Sequence, residues 1–256
     1  ERFEFKDPTA HNTITVDNEF FTVCKDSWEC SKLSQPVNQK HNFLEKYEFV
    51  QGGHLGYMDM ENGVFVNRKI IHIKPDIYII VDEMYTGGEH EYQQYFHFNN
   101  LGKVELNGAG ASYVGEKARA DFYFITPDIR TEKINTRISR NYNQADANET
   151  IKVNLKRKGF ASLITVIHGK AHGTTENNIL IEKLPVKSNF KNIYHPESWA
   201  ESLKIQVGDK TYIVIICHQE VNTPTDQTEV DGCMGFGNVI VFDKEEETEV
   251  GTVLLW

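Results

Sequence analysis

No apolar run in this chain is long enough to cross a bilayer, so no membrane insertion is expected of it. It has no phosphate-cradling glycine loop and no nucleophile elbow, which removes the motif-based case for nucleotide-phosphate binding and for serine-type acyl transfer. Cysteine is scarce. Cys24, Cys30, Cys217 and Cys233 form no Cys-x-x-Cys pair, so a zinc knuckle is not expected. Cys24 and Cys30 are near enough in sequence to approach across a loop, but free, partly buried thiols are the expectation for all four. Positive charge is also in deficit. The net charge of −10 argues against nonspecific nucleic-acid binding. There is no internal repeat, and no amphipathic pattern longer than about two helical turns. An initiator methionine and a signal-peptide pattern are both lacking. The chain opens Glu1-Arg2-Phe3-Glu4-Phe5, already alternating like a strand, and reads as the C-terminal piece of a longer protein.

What is present is strand. Hydrophobic content of 39% over 256 residues suffices for a core, so the chain is globular rather than disordered. Short alternating runs recur, and branched residues with turn signals bound most of them. The clearest unit is a hairpin, in which residues 64–73 alternate, Lys74-Pro75-Asp76 turns the chain and residues 77–82 return. Residues 26–41 are polar and read as a loop. Residues 52–57 read as a glycine-rich bend, and residues 226–237 as a loop. Further strands are expected at 14–16, 90–98, 150–155, 160–168, 202–207, 211–218, 238–242 and 251–256. The fold class is therefore all-β: a large antiparallel β-sandwich of the super-sandwich type with few or no helices, forming one domain over residues 1–256.

Several residues stand out chemically. His11-Asn12-Thr13 is a compact polar cluster directly ahead of Ile14 and Val16, where a sheet protein can hold a metal or ligand; a single histidine read alone is a structural one. His54 and Tyr57 lie on the glycine-rich stretch, where backbone can come close to a sugar; the alternative is a turn histidine and a packed tyrosine. Arg68 has a planar fork suited to a ligand's carboxylate, or to an acid inside the sheet. Trp199, after His195-Pro196-Glu197-Ser198, is the best loop-borne platform for a sugar ring, ahead of Trp28 and Trp256. His90 and His97 are seven apart, on opposite faces of a strand, and make no metal pair. His168 and His172 have metal-like spacing, but follow a strand and flank Gly169, so no metal role is assigned. The charge run 243–247 reads as a solvated turn.

The order of these pieces resembles a known family. Ala10-His11-Asn12-Thr13 running to Asp17, then His54-x-Gly56-Tyr57, Arg68, Val81-Asp82, His90-x-Tyr92 with His97, and the strand Gly159 to His168 are together similar to the C-terminal domain of heparinase II/III-like polysaccharide lyases. The resemblance implies a parent enzyme that pairs a helical toroid with this sandwich and cleaves uronate-containing glycans by β-elimination in the cleft between them. Heparin or heparan sulfate-like chains, hyaluronan and alginate are the substrate candidates, and the acidic charge tilts away from the most sulfated of them. It also implies a structural zinc in the parent, with His11 as one ligand and the others upstream of residue 1, and a cell-envelope, periplasmic or secreted location, a cytoplasmic one staying open. With the residue reading above, the candidate substrate contacts are Asn12, His54, Tyr57, Arg68 and Trp199. The implied partners are the glycan and the protein's own N-terminal helical domain. No catalytic residue is expected within the chain, which alone should show no turnover. The competing reading is a non-catalytic carbohydrate-binding or structural sandwich.

Overall fold

The computed structural model describes residues 3–108, 110–171, 179–245 and 251–256. Among them the only helical turns are two short 3-10 segments, Glu4–Lys6 and Pro8–Ala10. The first strands in chain order are β1 (Ile14–Val16), β2 (Val23–Cys24), β3 (Cys30–Lys32), β4 (Pro36–Phe43), β5 (Tyr47–Tyr57), β6 (Val64–Ile73) and β7 (Ile77–Tyr85). They are followed by β8 (Glu89–His97), β9 (Lys103–Asn107), β10 (Gly110–Val114), β11 (Ala118–Phe124), β12 (Arg130–Ile138), β13 (Asp146–Lys158) and β14 (Ala161–Ala171). The remainder are β15 (Ile179–Leu184), β16 (Lys187–Ser188), β17 (Ala200–Val207), β18 (Lys210–Cys217), β19 (Thr228–Val230), β20 (Cys233–Gly235), β21 (Val239–Asp243) and β22 (Thr252–Leu255). Contacts divide the chain into two compact units, residues 1–41 with 50–174 and residues 42–49 with 175–256.

In the first unit a four-stranded sheet, ordered β1-β8-β13-β12, faces an eight-stranded one, ordered β4-β5-β6-β7-β14-β11-β10-β9. Side chains alternate across each strand, so one residue in two enters the space between the sheets. Ile14, Val16, Tyr92, Phe96, Ile151, Val153 and Leu155 come from the small sheet and meet Val64, Val66, Met84, Phe122, Phe124, Ala161 and Leu163 from the large one. The expected antiparallel sandwich is thus present.

In the second unit a five-stranded sheet, β15-β17-β18-β21-β22, and a three-stranded one, β16-β19-β20, share a core of Ile213, Ile215, Ile240, Phe242, Val230 and Cys233.

Three expectations fail for identifiable reasons. The loop expected at 26–41 contains β3 and most of β4, a largely exposed strand that lacks the alternation one-sided burial imposes. The bend expected at 52–57 is the end of β5; at Gly53 a Cβ would lie 2.8 Å from the Phe65 ring and the Val66 carbonyl, so glycine permits close backbone approach rather than a turn. The loop expected at 226–237 contains the hairpin β19–β20, turned by Asp231 and Gly232, both at positive φ. His172 and the end of the charge run 243–247 lie outside the described residues.

Candidate functional site

Val64, Val66 and Arg68 share one face of β6, so the alternation that buries two valines carries an arginine to the same side. A cation there needs an acid. Directly opposite on β7 is Asp82, whose side chain is 1% exposed. Arg68 grips it with both arms: Nε donates to Oδ1 at 2.5 Å and Nη2 to Oδ2 at 2.8 Å. Gln94, reaching in from β8, donates its amide to the same Oδ2 at 2.6 Å. Burial opposes the Arg68 charge, but the adjacent carboxylate more than offsets this and leaves its pKa raised.

The third arm of Arg68 leaves the interior. Nη1 donates at 2.5 Å to the backbone carbonyl of Asn12, just ahead of edge strand β1. Asn12 is pinned a second time, because its Oδ1 accepts the His97 backbone N–H at 2.7 Å. The ring of His97 braces the same segment from behind. Its Nε2–H donates to the Thr9 carbonyl at 2.9 Å, and its Nδ1 accepts from the Thr150 hydroxyl at 2.9 Å. Burial lowers the His97 pKa, the Thr9 carbonyl opposes this and nearby His11 adds to it. Both ring nitrogens of His97 are therefore engaged, whereas His11 stands exposed beside it.

His54 lies within the electrostatic reach of the same pair. Burial pushes its pKa down to about 4, with Asp82 raising it and Arg68 lowering it. Its Nδ1 accepts the Gly56 N–H at 3.2 Å, so the proton of the neutral ring sits on Nε2, a buried atom with no hydrogen-bond partner. Phe21 packs 4.5 Å from the ring and Tyr57 5.6 Å, centroid to centroid. Tyr57 itself is 0% exposed, and its hydroxyl donates to the Glu19 carbonyl at 3.1 Å. It has no surface to offer a ligand, so the expected substrate contact at Tyr57 is replaced by a packing role behind His54.

Beyond Arg68 and Asp82 the cover ends. On the same face the register continues with the pair Ile70 and Ile80, then His72 and Tyr78. Both isoleucines are half-buried, and Tyr78 is 39% exposed. The His72 and Tyr78 rings stack 4.0 Å apart and 6° from parallel. The result is a polar step (Asn12, Arg68, Asp82, His54) beside an apolar floor that ends in flat rings, a combination suited to a pyranose with hydroxyls at its rim and C–H groups on its face.

Sequence reasoning named Asn12, His54 and Arg68, and the structure brings these together. It missed Asp82 and Gln94 as their anchors, and the His72–Tyr78 stack. The signals existed: an arginine in core phase demands an acid, and residues flanking the Pro75 turn fall opposite one another. Trp199 belongs to the second unit. It is 44% exposed, lies 6.3 Å from the His195 ring, and its carbonyl accepts the His218 N–H at 2.8 Å. Behind it Glu201 binds His218 Nε2 at 2.8 Å and Lys183 Nζ at 2.7 Å.

The donor set does not fit a zinc site by itself. Among the described residues no group of three or more His, Cys, Asp or Glu converges on one point, and zinc wants about four ligands. His11 is a single exposed imidazole.

The family described as Heparinase II/III-like, C-terminal, matches residues 3–182. No curated protein matches the chain. Among solved structures, the heparan sulfate lyase HepC from Pedobacter heparinus superposes with a TM-score of 0.64 at 11% identity, over 86% of this chain and 32% of that one. A crystal structure of heparinase III gives 0.59 at 11% identity, over 84% and 31%. At such identities the likeness is one of fold, and the chain spans about a third of the length of these structures.

Proposed function

Because the chain belongs to the heparinase II/III-like C-terminal family, we propose that it is the sandwich of a longer polysaccharide lyase acting on uronate-containing glycans by β-elimination. The observation that carries this reading is the polar step at Asn12, Arg68 and His54 opening onto the floor of Ile70, Ile80, His72 and Tyr78. Its role is to hold one or two sugars against the missing half of the cleft, which would be the protein's own helical domain.

The chemistry assigns this chain a supporting part. Breaking the C4–O bond requires a base to take the C5 proton and an acid to protonate the leaving oxygen. It also requires charge on the uronate carboxylate to be offset, so that negative charge can spread onto it. Arg68 is already neutralised by Asp82 and serves as a buttress that fixes Asn12, not as a free uronate clamp. His54 is held neutral with its proton on the buried Nε2, which makes it a group that shapes the step from below rather than the base. Base and acid are therefore assigned to the longer protein. Trp199 is proposed as a separate surface contact for the chain of sugars.

Zinc in the parent would take His11 as one ligand and the rest from outside this chain, and would orient neighbouring groups; no step here runs through it. The cation of the step, Arg68, is internally paired, which supports a glycan of low sulfation, such as sparsely sulfated heparan, hyaluronan or alginate. An envelope, periplasmic or secreted location goes with such a substrate; no helix among the described residues is long and apolar enough to cross a membrane.

The test is the ultraviolet absorbance of unsaturated uronate product. The full-length protein, its His11→Ala variant and this chain alone are assayed on heparan sulfate, hyaluronan and alginate. Product from the first and none from the other two supports the assignment, and the active glycan names the substrate. Silence from the full-length protein on every glycan removes the lyase reading and favours a non-catalytic binding module.

A further inference from the structure

Strands β2 and β3 form a small hairpin in which Cys24 and Cys30 are directly opposed. Their Sγ atoms lie 3.0 Å apart. A disulfide needs sulfurs at about 2.0 Å on Cα atoms about 4.4–6.8 Å apart. Directly opposed residues of an antiparallel pair stand about 4.5–5.5 Å apart at Cα, inside that window. The ladder shifts register between Val23 and Cys24, so bond formation asks for side-chain rotation and a small adjustment at that bulge.

The loop between the two cysteines already holds the required shape. Asp26 Oδ1 accepts the backbone N–H groups of Trp28 at 2.6 Å and Glu29 at 2.8 Å. The Lys25 N–H donates to the Glu29 carbonyl at 2.8 Å, and Lys6 Nζ donates to the Ser27 carbonyl at 2.7 Å. Both thiols are partly exposed, so an oxidant can reach them. Cys217 and Cys233 differ: they are buried in the core of the second unit.

We propose that Cys24 and Cys30 are a disulfide-forming pair, oxidised by a small-molecule or protein disulfide. One thiolate attacks a sulfur of the oxidant, giving a mixed disulfide and releasing one thiol. The second thiolate then attacks the protein-bound sulfur of that mixed disulfide. The Cys24–Cys30 bond forms, the oxidant leaves as its second thiol, and the two cysteine protons end on the two thiols released. The bond staples the loop that presents Trp28, which is 92% exposed. This inference rests on the hairpin alone and stands apart from the lyase reading.

The full chain is equilibrated with oxidised glutathione, denatured, alkylated without reductant and digested with trypsin. The cleavage sites flanking the cysteines place Cys24 in peptide 7–25 and Cys30 in peptide 26–32, so the bond links two otherwise separate peptides. The expected result is that linked pair, lighter than its parts by two hydrogens and parted by reductant, with Cys217 and Cys233 alkylated. Alkylation of all four cysteines, or glutathione on Cys24 and Cys30 with no link between them, overturns the proposal. A Cys30→Ser variant is the second arm. It should stop at a stable glutathione adduct on Cys24, and failure to form that adduct contradicts the accessibility the pair requires.

Discussion

Replacing Arg68 with methionine removes the grip on a buried carboxylate and keeps most of the side-chain volume. Among the described residues Asp82 would retain only the Gln94 amide as a charge-stabilising side-chain donor. Breaking a buried pair by removing one partner costs about 3–5 kcal/mol, because the remaining ion is left uncompensated. Arg68 is about one-quarter exposed at its side chain, so water partly replaces it and the lower end, about 3 kcal/mol, is expected. For a unit of this size that is a fall in Tm of roughly 6–12 °C. The double variant Arg68→Met/Asp82→Leu removes both charges and should recover most of the loss, less about 1 kcal/mol for the Gln94 amide left without its acceptor. Arg68→Lys keeps the charge but loses the fork and the bond to Asn12, and should fall between. Thermal and urea unfolding of the chain measure all three. A single variant within about 1 kcal/mol of the parent, or a double variant no more stable than the single, would refute the claim that this pair organises the site.

Further outcomes follow from the same contacts. The folded pKa of His54, about 4, lies below its unfolded value, so the unfolded chain takes the proton first and stability falls as pH drops from 6.5 toward 4. Between pH 7 and pH 5 this amounts to about 2 kcal/mol, and the unfolding free energy of His54→Gln, measured in urea, should depend on pH by that much less. Burial alone would raise the Glu201 carboxyl, but His218 and Lys183 outweigh it and hold the pKa at about 2. That stability is present above 4.5 and lost as pH falls toward 2, so Glu201→Gln should cost roughly 3 kcal/mol at neutral pH and flatten acid unfolding. A Cβ at Gly56 would collide with the Cβ of Phe21, so Gly56→Ala should destabilise by about 1–3 kcal/mol and expose His54, read by thermal unfolding and histidine modification. Tyr57→Phe loses one hydroxyl bond to a carbonyl, costing about 1 kcal/mol in urea unfolding, and should leave glycan binding unchanged.

The sandwich was legible because burial on one face writes itself into alternation, as in Val64 to Ile73 and Ile77 to Tyr85. It was illegible where that cause is missing. Strand β4 is mostly exposed, so its sequence carries no phase, and only pairing makes it a strand. Gly53 read as a bend, since composition does not distinguish a glycine that turns from one that admits a neighbouring ring. At the candidate site, resemblance supplied Asn12, His54 and Arg68. The partner of Arg68 was missed although phase carried the signal, because an arginine on the face of Val64 and Val66 requires an acid across the ladder. Tyr57 misled: a tyrosine beside a histidine looks the same whether its ring faces solvent or closes the core, and here the hydroxyl bond to Glu19 settles the orientation. The His72–Tyr78 stack needed the hairpin register, which the Pro75 turn fixes.

The central claim is that the step at Asn12, His54 and Arg68, with the floor beside it, meets the glycan. Amide hydrogen exchange of the full-length protein, with and without a uronate-containing oligosaccharide, tests this directly. Slowed exchange is expected at residues 11–13, 52–57 and 68–80, with loss of that protection in His54→Ala. Protection confined to other surfaces, with these segments unchanged, would contradict it.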